Sequence, residues 1–212
     1  MTRWYTEKKK EHFYQEAKRV GYRARSAFKL QQIQKRFHLI PKNGIVVDLG
    51  AAPGGWSQVA KELVGEQGIV IGIDLSSIKP FDGIIFLQGD VTKPTTLDEL
   101  KELIAGKNPD VVLSDMSPDI SGNYSVDQAR SAWLCDNALH VATHLLRPGG
   151  HFICKIFEGE DTKAFLEKIK QHFMVVKTFS PEASRKSSSE VYIVAKSFKN
   201  TYKKGDLSSS YS

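Results

Sequence analysis

Cysteine is nearly absent from this sequence: Cys135 and Cys154 are the only two in 212 residues. Two cysteines build no disulfide framework, and with the six histidines they form no cluster at metal-ligand spacing. No metal centre is therefore expected. Long hydrophobic runs are missing too, none approaching the ~20 residues that cross a bilayer. The first residues, Met1-Thr2-Arg3-Trp4-Tyr5, lead straight into Lys8-Lys9-Lys10 without the apolar core of a secretion signal. A cytoplasmic protein with no membrane partner is the expectation. Internal repeats are lacking, and no second folded domain is expected.

What is present is the makeup of an ordinary globular chain, 41% hydrophobic and 25% charged, long enough to bury a full core. The net charge of +6 is unevenly spread. Residues 1–43 hold twelve Lys/Arg against three acids, a local +9 that leaves −3 for the rest. Trp4, Tyr5, Phe13, Tyr14, Tyr22, Phe28 and Phe37 are mixed into this basic segment. A basic, aromatic arm on a near-neutral body suits a polyanion bound through its phosphates, with ring stacking in support. Nucleic acid is the expected partner, although Lys8 to Lys10 alone would read as a solvated helix face.

The most informative stretch is Asp48-Leu49-Gly50-Ala51-Ala52-Pro53-Gly54-Gly55-Trp56. The apolar run Ile45-Val46-Val47 precedes it and a helical pattern, Trp56 to Val64, follows. Strand, glycine-rich turn and helix in that order form the mouth of a nucleotide-type cofactor site in a doubly wound sheet. A nucleoside triphosphatase is disfavoured, since no Gly-Lys-Ser/Thr follows the loop. Gly50, Ala52 and Gly55 leave a dinucleotide-dependent dehydrogenase open, although Pro53 and Trp56 fit it poorly. Asp74 ends a second apolar run, Ile69 to Ile73, where a carboxylate accepts from ribose hydroxyls.

Periodicity predicts helices at 6–19 and 24–38, broken near Gly21, and then alternating strands and helices. Strands are expected near 45–48, 69–74, 84–88, 110–115, 150–156, 174–179 and 190–196. Helices near 56–64, 95–105, 125–146 and 161–171 separate most of them. The pattern gives an α/β protein with a seven-stranded, mostly parallel sheet. The last two strands have no helix between them, so the last is expected antiparallel. Residues 1–43 form a basic helical extension packed on a domain at 44–199, and 200–212 read as a disordered tail.

Ligands in such sheets sit beyond the carboxyl ends of the strands. Asp48, Asp74, Asp90 and Asp115 fall there, and Lys155 lies near the end of the fifth strand in Phe152-Ile153-Cys154-Lys155-Ile156-Phe157. A lysine inside an apolar strand needs a partner, and Asp115 is expected on a neighbouring strand. Glu190 opens the last strand, and Lys29 sits on the basic helix, where it reads equally as a phosphate contact.

Five segments carry a resemblance. They are Gly21-Tyr22-Arg23-Ala24-Arg25-Ser26-Ala27-Phe28-Lys29-Leu30, the loop from Asp48 to Trp56, Ser114-Asp115-Met116-Ser117-Pro118, Cys154-Lys155-Ile156-Phe157 and Ser187-Ser188-Ser189-Glu190-Val191-Tyr192. In this order they resemble the FtsJ/RlmE family of RNA ribose 2′-O-methyltransferases, across about Gly21 to Lys196. The resemblance implies a Rossmann-like S-adenosyl-L-methionine-dependent fold and a catalytic tetrad on Lys29, Asp115, Lys155 and Glu190. It also implies cofactor contacts at Gly54, Trp56, Asp74, Asp90 and Asp115, joined by Asp48 and Gly50 from the loop. Asp74 would hold the ribose and Asp90 the adenine amino group, with the bulk of Trp56 walling the site.

A lysine in water titrates near ~10.4, so Lys155 acts as proton acceptor only if its surroundings favour the neutral amine. Otherwise it orients the hydroxyl and stabilises oxyanion charge. Arg23, Arg25 and Lys29 are the expected RNA contacts. The implied reaction is methylation of a uridine ribose in large-subunit ribosomal RNA by a monomer, with the ribosomal particle as partner. The alternatives are a tRNA anticodon-loop ribose, a non-catalytic RNA-binding module and the dehydrogenase.

Overall fold

The computed structural model describes residues 13–184 and 189–199. Seven strands form one sheet: β1 (Ile45–Leu49), β2 (Ile69–Asp74), β3 (Ile84–Gln88), β4 (Val111–Ser114), β5 (His151–Phe157), β6 (Phe173–Phe179) and β7 (Glu190–Phe198). Their order is β3-β2-β1-β4-β5-β7-β6. The five strands from β3 to β5 pair in parallel, and β7 runs antiparallel to both β5 and β6. The strand order reverses between β1 and β4, which opens a crevice beyond their carboxyl ends.

Helices α1 (Ala27–Phe37), α2 (Gly55–Val64), α3 (Pro94–Leu103), α4 (Tyr124–Leu145) and α5 (Glu160–His172) cover the two faces. Period-two alternation sorts the strand side chains between them. Val46, Val70, Val111, Leu113, Ile153, Tyr192 and Val194 pack with Ala27, Leu30 and Ile33 of α1 and with Trp56 and Val59 of α2. Val47, Ile71, Val112, Phe152, Cys154 and Ile193 pack with α3, α4 and α5. Both faces are covered, so the central strands read as continuous apolar runs: all five residues of β1 are buried. Among the described residues no helix is long and apolar enough to cross a membrane.

Most elements fall within two residues of their expected bounds, and one starts later. Helix α1 begins at Ala27 rather than near 24, because the residues before it are spent on α2. The Arg23 backbone N–H donates to Gln58 Oε1 (2.8 Å), and Gln58 Nε2 donates to the Gly21 carbonyl (3.2 Å). The Tyr22 hydroxyl donates to Glu62 (2.7 Å). The chain is helical over 13–20, and the rest of the helix expected at 6–19 lies outside the described residues, as does the expected tail.

Candidate active site

The cofactor-type loop is shaped by glycines that no other residue replaces cheaply. Gly50 has φ 72°, and a Cβ there would lie 2.5 Å from Met116 Cγ. The N–H groups of Gly50 and Ala51 both donate to the Ile73 carbonyl, which pins the loop to the end of β2. Asp74 completes the attachment, its two carboxylate oxygens accepting from the Ala52 N–H (3.0 Å) and the Ser76 N–H (2.8 Å).

Beyond this loop lies a cavity of about 420 Å³ with Asp74, Asp90 and Asp115 among its walls. Leu75, Val91, Met116 and Trp133 supply apolar surface. The size falls in the ~300–1,000 Å³ range of small-molecule sites, and a few placed polar groups on an apolar lining are typical of them. Asp90 Oδ1 accepts from both the N–H and the hydroxyl of Thr92, and these bonds hold its pKa below the ordinary value.

Asp48 and Trp56 take other places than the wall. Asp48 is fully buried at the end of β1, where its Oδ2 accepts from Ser57 Oγ (2.6 Å) and its Oδ1 has no partner. Burial, with Asp115 and Asp74 adding repulsion, pushes its pKa up to about 7 against the opposing Ser57 hydrogen bond. The Trp56 side chain, expected to wall the site, is 2% exposed and belongs to the core. Its Nε1 donates to the Ser26 carbonyl (2.8 Å) and its ring lies 5.6 Å from that of Tyr192. Any part Trp56 plays toward a ligand falls to its backbone at the start of α2. Gly54, with φ 111°, is the residue just before that helix.

Lys29, Asp115, Lys155 and Glu190 come together as two ion pairs. Lys29 Nζ donates to Glu190 Oε1 at 2.5 Å. Lys155 Nζ donates to the Asp115 backbone oxygen at 2.7 Å and lies 3.2 Å from Asp115 Oδ1. Both lysines are only 7% exposed, so each ammonium needs the carboxylate it has. Burial works against ionisation of Glu190, but Lys29, Ser184 and Lys155 outweigh it and keep its pKa below the usual carboxylate value. Cys135 Sγ donates to the Lys155 carbonyl (3.0 Å) and steadies the strand from the far face.

Register explains the convergence. Lys155 follows Ile153 by two residues and so faces α1, which carries Lys29. In the antiparallel β5–β7 pair Lys155 stands opposite Tyr192, and Glu190 lies two residues away on the same face. Tyr192 is the member that sequence reasoning missed. Its hydroxyl donates to Asp115 Oδ1 (2.8 Å), and its ring centroid lies 5.6 Å from Lys29 Nζ, within cation–π range. One side chain thus touches both ion pairs. Burial and the carboxylates of Asp115 and Glu190 push its own pKa well up, so it serves as a hydrogen-bond donor. The signal was the two-residue step from Glu190, usable only once the strand pairing was known.

Of the expected RNA contacts, Lys29 belongs to the buried pair and Arg25 is half-buried in the turn before α1. The Arg23 guanidinium lies on backbone carbonyls: Nη1 donates to Pro53 (3.3 Å) and Lys79 (2.5 Å), and Nη2 to Pro80 (2.7 Å).

A crevice at the switch point of this sheet, with two lysine–carboxylate pairs beside it, is the architecture of a Rossmann-like methyltransferase. A Plasmodium falciparum protein described as a ribosomal RNA methyltransferase superposes with TM-score 0.77 at 30% identity, covering 84% of this chain and 98% of its own. A Streptococcus mutans protein described as a methyltransferase, solved in complex with SAH, shares the fold at TM-score 0.50 and 11% identity over 76% of this chain and 90% of its own. The family model described as FtsJ-like methyltransferase matches residues 22–198, and the chain belongs to that family. It is 51% identical over 187 residues to the ribosomal RNA large subunit methyltransferase E of Methanothrix thermoacetophila, covering 88% of this chain and 72% of the relative. The protein of the same description from Methanocaldococcus jannaschii is 44% identical over 200 residues, covering 92% and 82%.

Proposed function

We propose that this methyltransferase methylates a ribose 2′-hydroxyl, that of a uridine in large-subunit ribosomal RNA, with S-adenosyl-L-methionine as donor. The observation that carries the reading is the double placement of Asp115. It lines the cavity and at the same time binds Lys155, so the cofactor site and the lysine pairs meet at one residue. The names of the curated relatives support the choice of RNA.

The residues present fit the cofactor. Gly50 lets the loop come close to Met116 of the cavity wall, the apolar wall suits an adenine, and three carboxylates suit a cationic ligand with ribose hydroxyls. When bound, S-adenosyl-L-methionine supplies an electrophilic methyl group on sulfur. Asp74 keeps lone pairs free for the ribose hydroxyls beyond the two backbone bonds it accepts. Asp90, which accepts at Oδ1, has Oδ2 for the adenine amino group. Lys155 first passes its own ammonium proton to solvent and then receives the proton of the attacking 2′-hydroxyl, and the two Asp115 oxygens beside Nζ stabilise the ammonium so re-formed. Lys29 and Glu190 orient the nucleotide next to it. Much of the acceleration comes from alignment of hydroxyl and methyl in this fixed frame. The protein acts as a monomer, with residues 1–43 supplying both Lys29 and the RNA arm to a catalytic domain at 44–199.

The test is methyl transfer from labelled S-adenosyl-L-methionine to unmodified large ribosomal subunits, naked ribosomal RNA and tRNA offered separately. The labelled nucleotide is then mapped by resistance of its 3′ linkage to alkali. Label on a uridine ribose of the large-subunit RNA is the expected result. Label confined to tRNA overturns the substrate, and label on a base overturns the chemistry.

A further inference from the structure

Arg23 stands at a junction that the reaction described above does not use. Its guanidinium makes three hydrogen bonds, all to backbone carbonyls, and these carbonyls belong to two different loops. Pro53 is in the loop after β1 that carries Gly50 and Gly54. Lys79 and Pro80 are in the connection from β2 to β3, just past Asp74 and Leu75 of the cavity wall. The planar group also lies against two rings of that second loop and of β3, its Cζ 5.3 Å from the Phe81 centroid and 5.9 Å from that of Phe86. Gly54 makes room for the contact, because a Cβ there would meet Arg23 Cδ and Nη1 at 3.2 Å. The Arg23 backbone is itself fixed to Gln58 of α2, and Lys29 follows six residues later in the same chain.

We propose that Arg23 is a positioning residue for the cofactor pocket, a clasp between its two lips, and does not meet an RNA phosphate. A guanidinium has five N–H donors in a fixed plane, which is the geometry that can join several carbonyls at once. A lysine ammonium, a compact point charge, cannot span them and stack on rings as well. A phosphate arriving at Arg23 would have to break these bonds, which are what hold the lips together. The inference rests on the reading of the cavity as the S-adenosyl-L-methionine site.

The experiment compares the full-length parent with Arg23→Ala and Arg23→Lys. Calorimetry gives the Kd for S-adenosyl-L-methionine. Filter binding gives the RNA Kd across a potassium chloride series, and hydrogen exchange is followed along the chain. If the parent fails to bind the cofactor, the site reading itself falls, before Arg23 is in question. Given parental binding, both variants are expected to lose at least tenfold in cofactor affinity while RNA affinity changes less than twofold. Faster exchange should be confined to residues 50–55 and 75–83, and millimolar methylguanidinium should restore cofactor binding to Arg23→Ala. Should Arg23→Ala fail to fold, Arg23→Lys keeps the charge and still lacks the fork, so it decides alone. Parental cofactor affinity, with RNA binding weakened and the salt slope of log K reduced by the ~0.7–0.9 of one phosphate, overturns the proposal. Weakening of both ligands together, with faster exchange throughout, overturns it as well.

Discussion

Lys155 occupies a strand position where an alkyl side chain would ordinarily stand, between Cys154 and Ile156, both fully buried. Its replacement therefore tests chemistry with little cost to packing. Lys155→Met should lower kcat by about 10²–10⁴-fold, the usual worth of a positioned acid or base, with cofactor Kd within about twofold of the parent. Turnover at the parental rate in a single-turnover assay would remove Lys155 from the mechanism. Asp48 makes a different prediction. Its carboxyl titrates at about 7 in the fold against 3.8 in the unfolded chain, so the folded state holds the extra proton between those values. Stability attributable to Asp48 is therefore greatest at low pH and declines as pH rises from about 4 through about 7. Asp48→Asn should flatten this decline and be the more stable protein above pH 7, by an amount on the order of a few kcal/mol. Urea unfolding of both proteins at pH 5 and pH 8 checks the sign. The carboxylates and lysines were legible as residues, since their types and spacings match a known pattern. Tyr192, the interior placement of Trp56 and the orphaned Asp48 oxygen were not. Each depends on which way a strand or helix is turned against its neighbours, and local sequence leaves that open.

Loops and helix starts set the cavity, and their glycines differ sharply in what they tolerate. Gly50 and Gly21 both have positive φ, 72° and 81°, but a Cβ at Gly50 collides with Met116 whereas at Gly21 it meets nothing within 4 Å. Gly21→Ala should cost about 1 kcal/mol of stability and leave cofactor binding alone. Gly50→Ala should fold less stably and weaken the cofactor Kd more than tenfold. Calorimetry on the pair would refute a role for the close approach of Gly50 to Met116 if both bound alike. Strands were read from sequence to within two residues, because apolar runs such as Ile69 to Ile73 end at a polar residue, there Asp74. The start of α1 was misread, since its helical pattern continues into Ala24 and Arg25. Only the contacts of Arg23 with Gln58, remote in sequence, draw those residues out of the helix. The antiparallel end of the sheet was anticipated from the helix-free connection. Its order was not: nothing local says that β7 enters between β5 and β6.

For the whole molecule, the uneven charge sets two different salt responses. On the proposed reading, RNA bound by the basic residues of 1–43 other than Arg23 and Lys29 releases counterions. Five phosphate contacts would lower the association constant about a hundredfold between 50 and 200 mM salt. Cofactor bound in the cavity should change less than twofold over the same range. Equal responses in parallel titrations would deny the arm its role. The same global view gives the strand order a temporal meaning. Synthesis runs from N- to C-terminus, so every cavity residue, the last being Leu134, leaves the ribosome before Lys155 and long before Glu190. Lys29 then waits 161 positions for its partner. The final strand slots between two neighbours made earlier, and only then do both lysines hold their acids. On the proposed mechanism competence arrives with the last strand, since a chain that stops before it lacks both Glu190 and Tyr192.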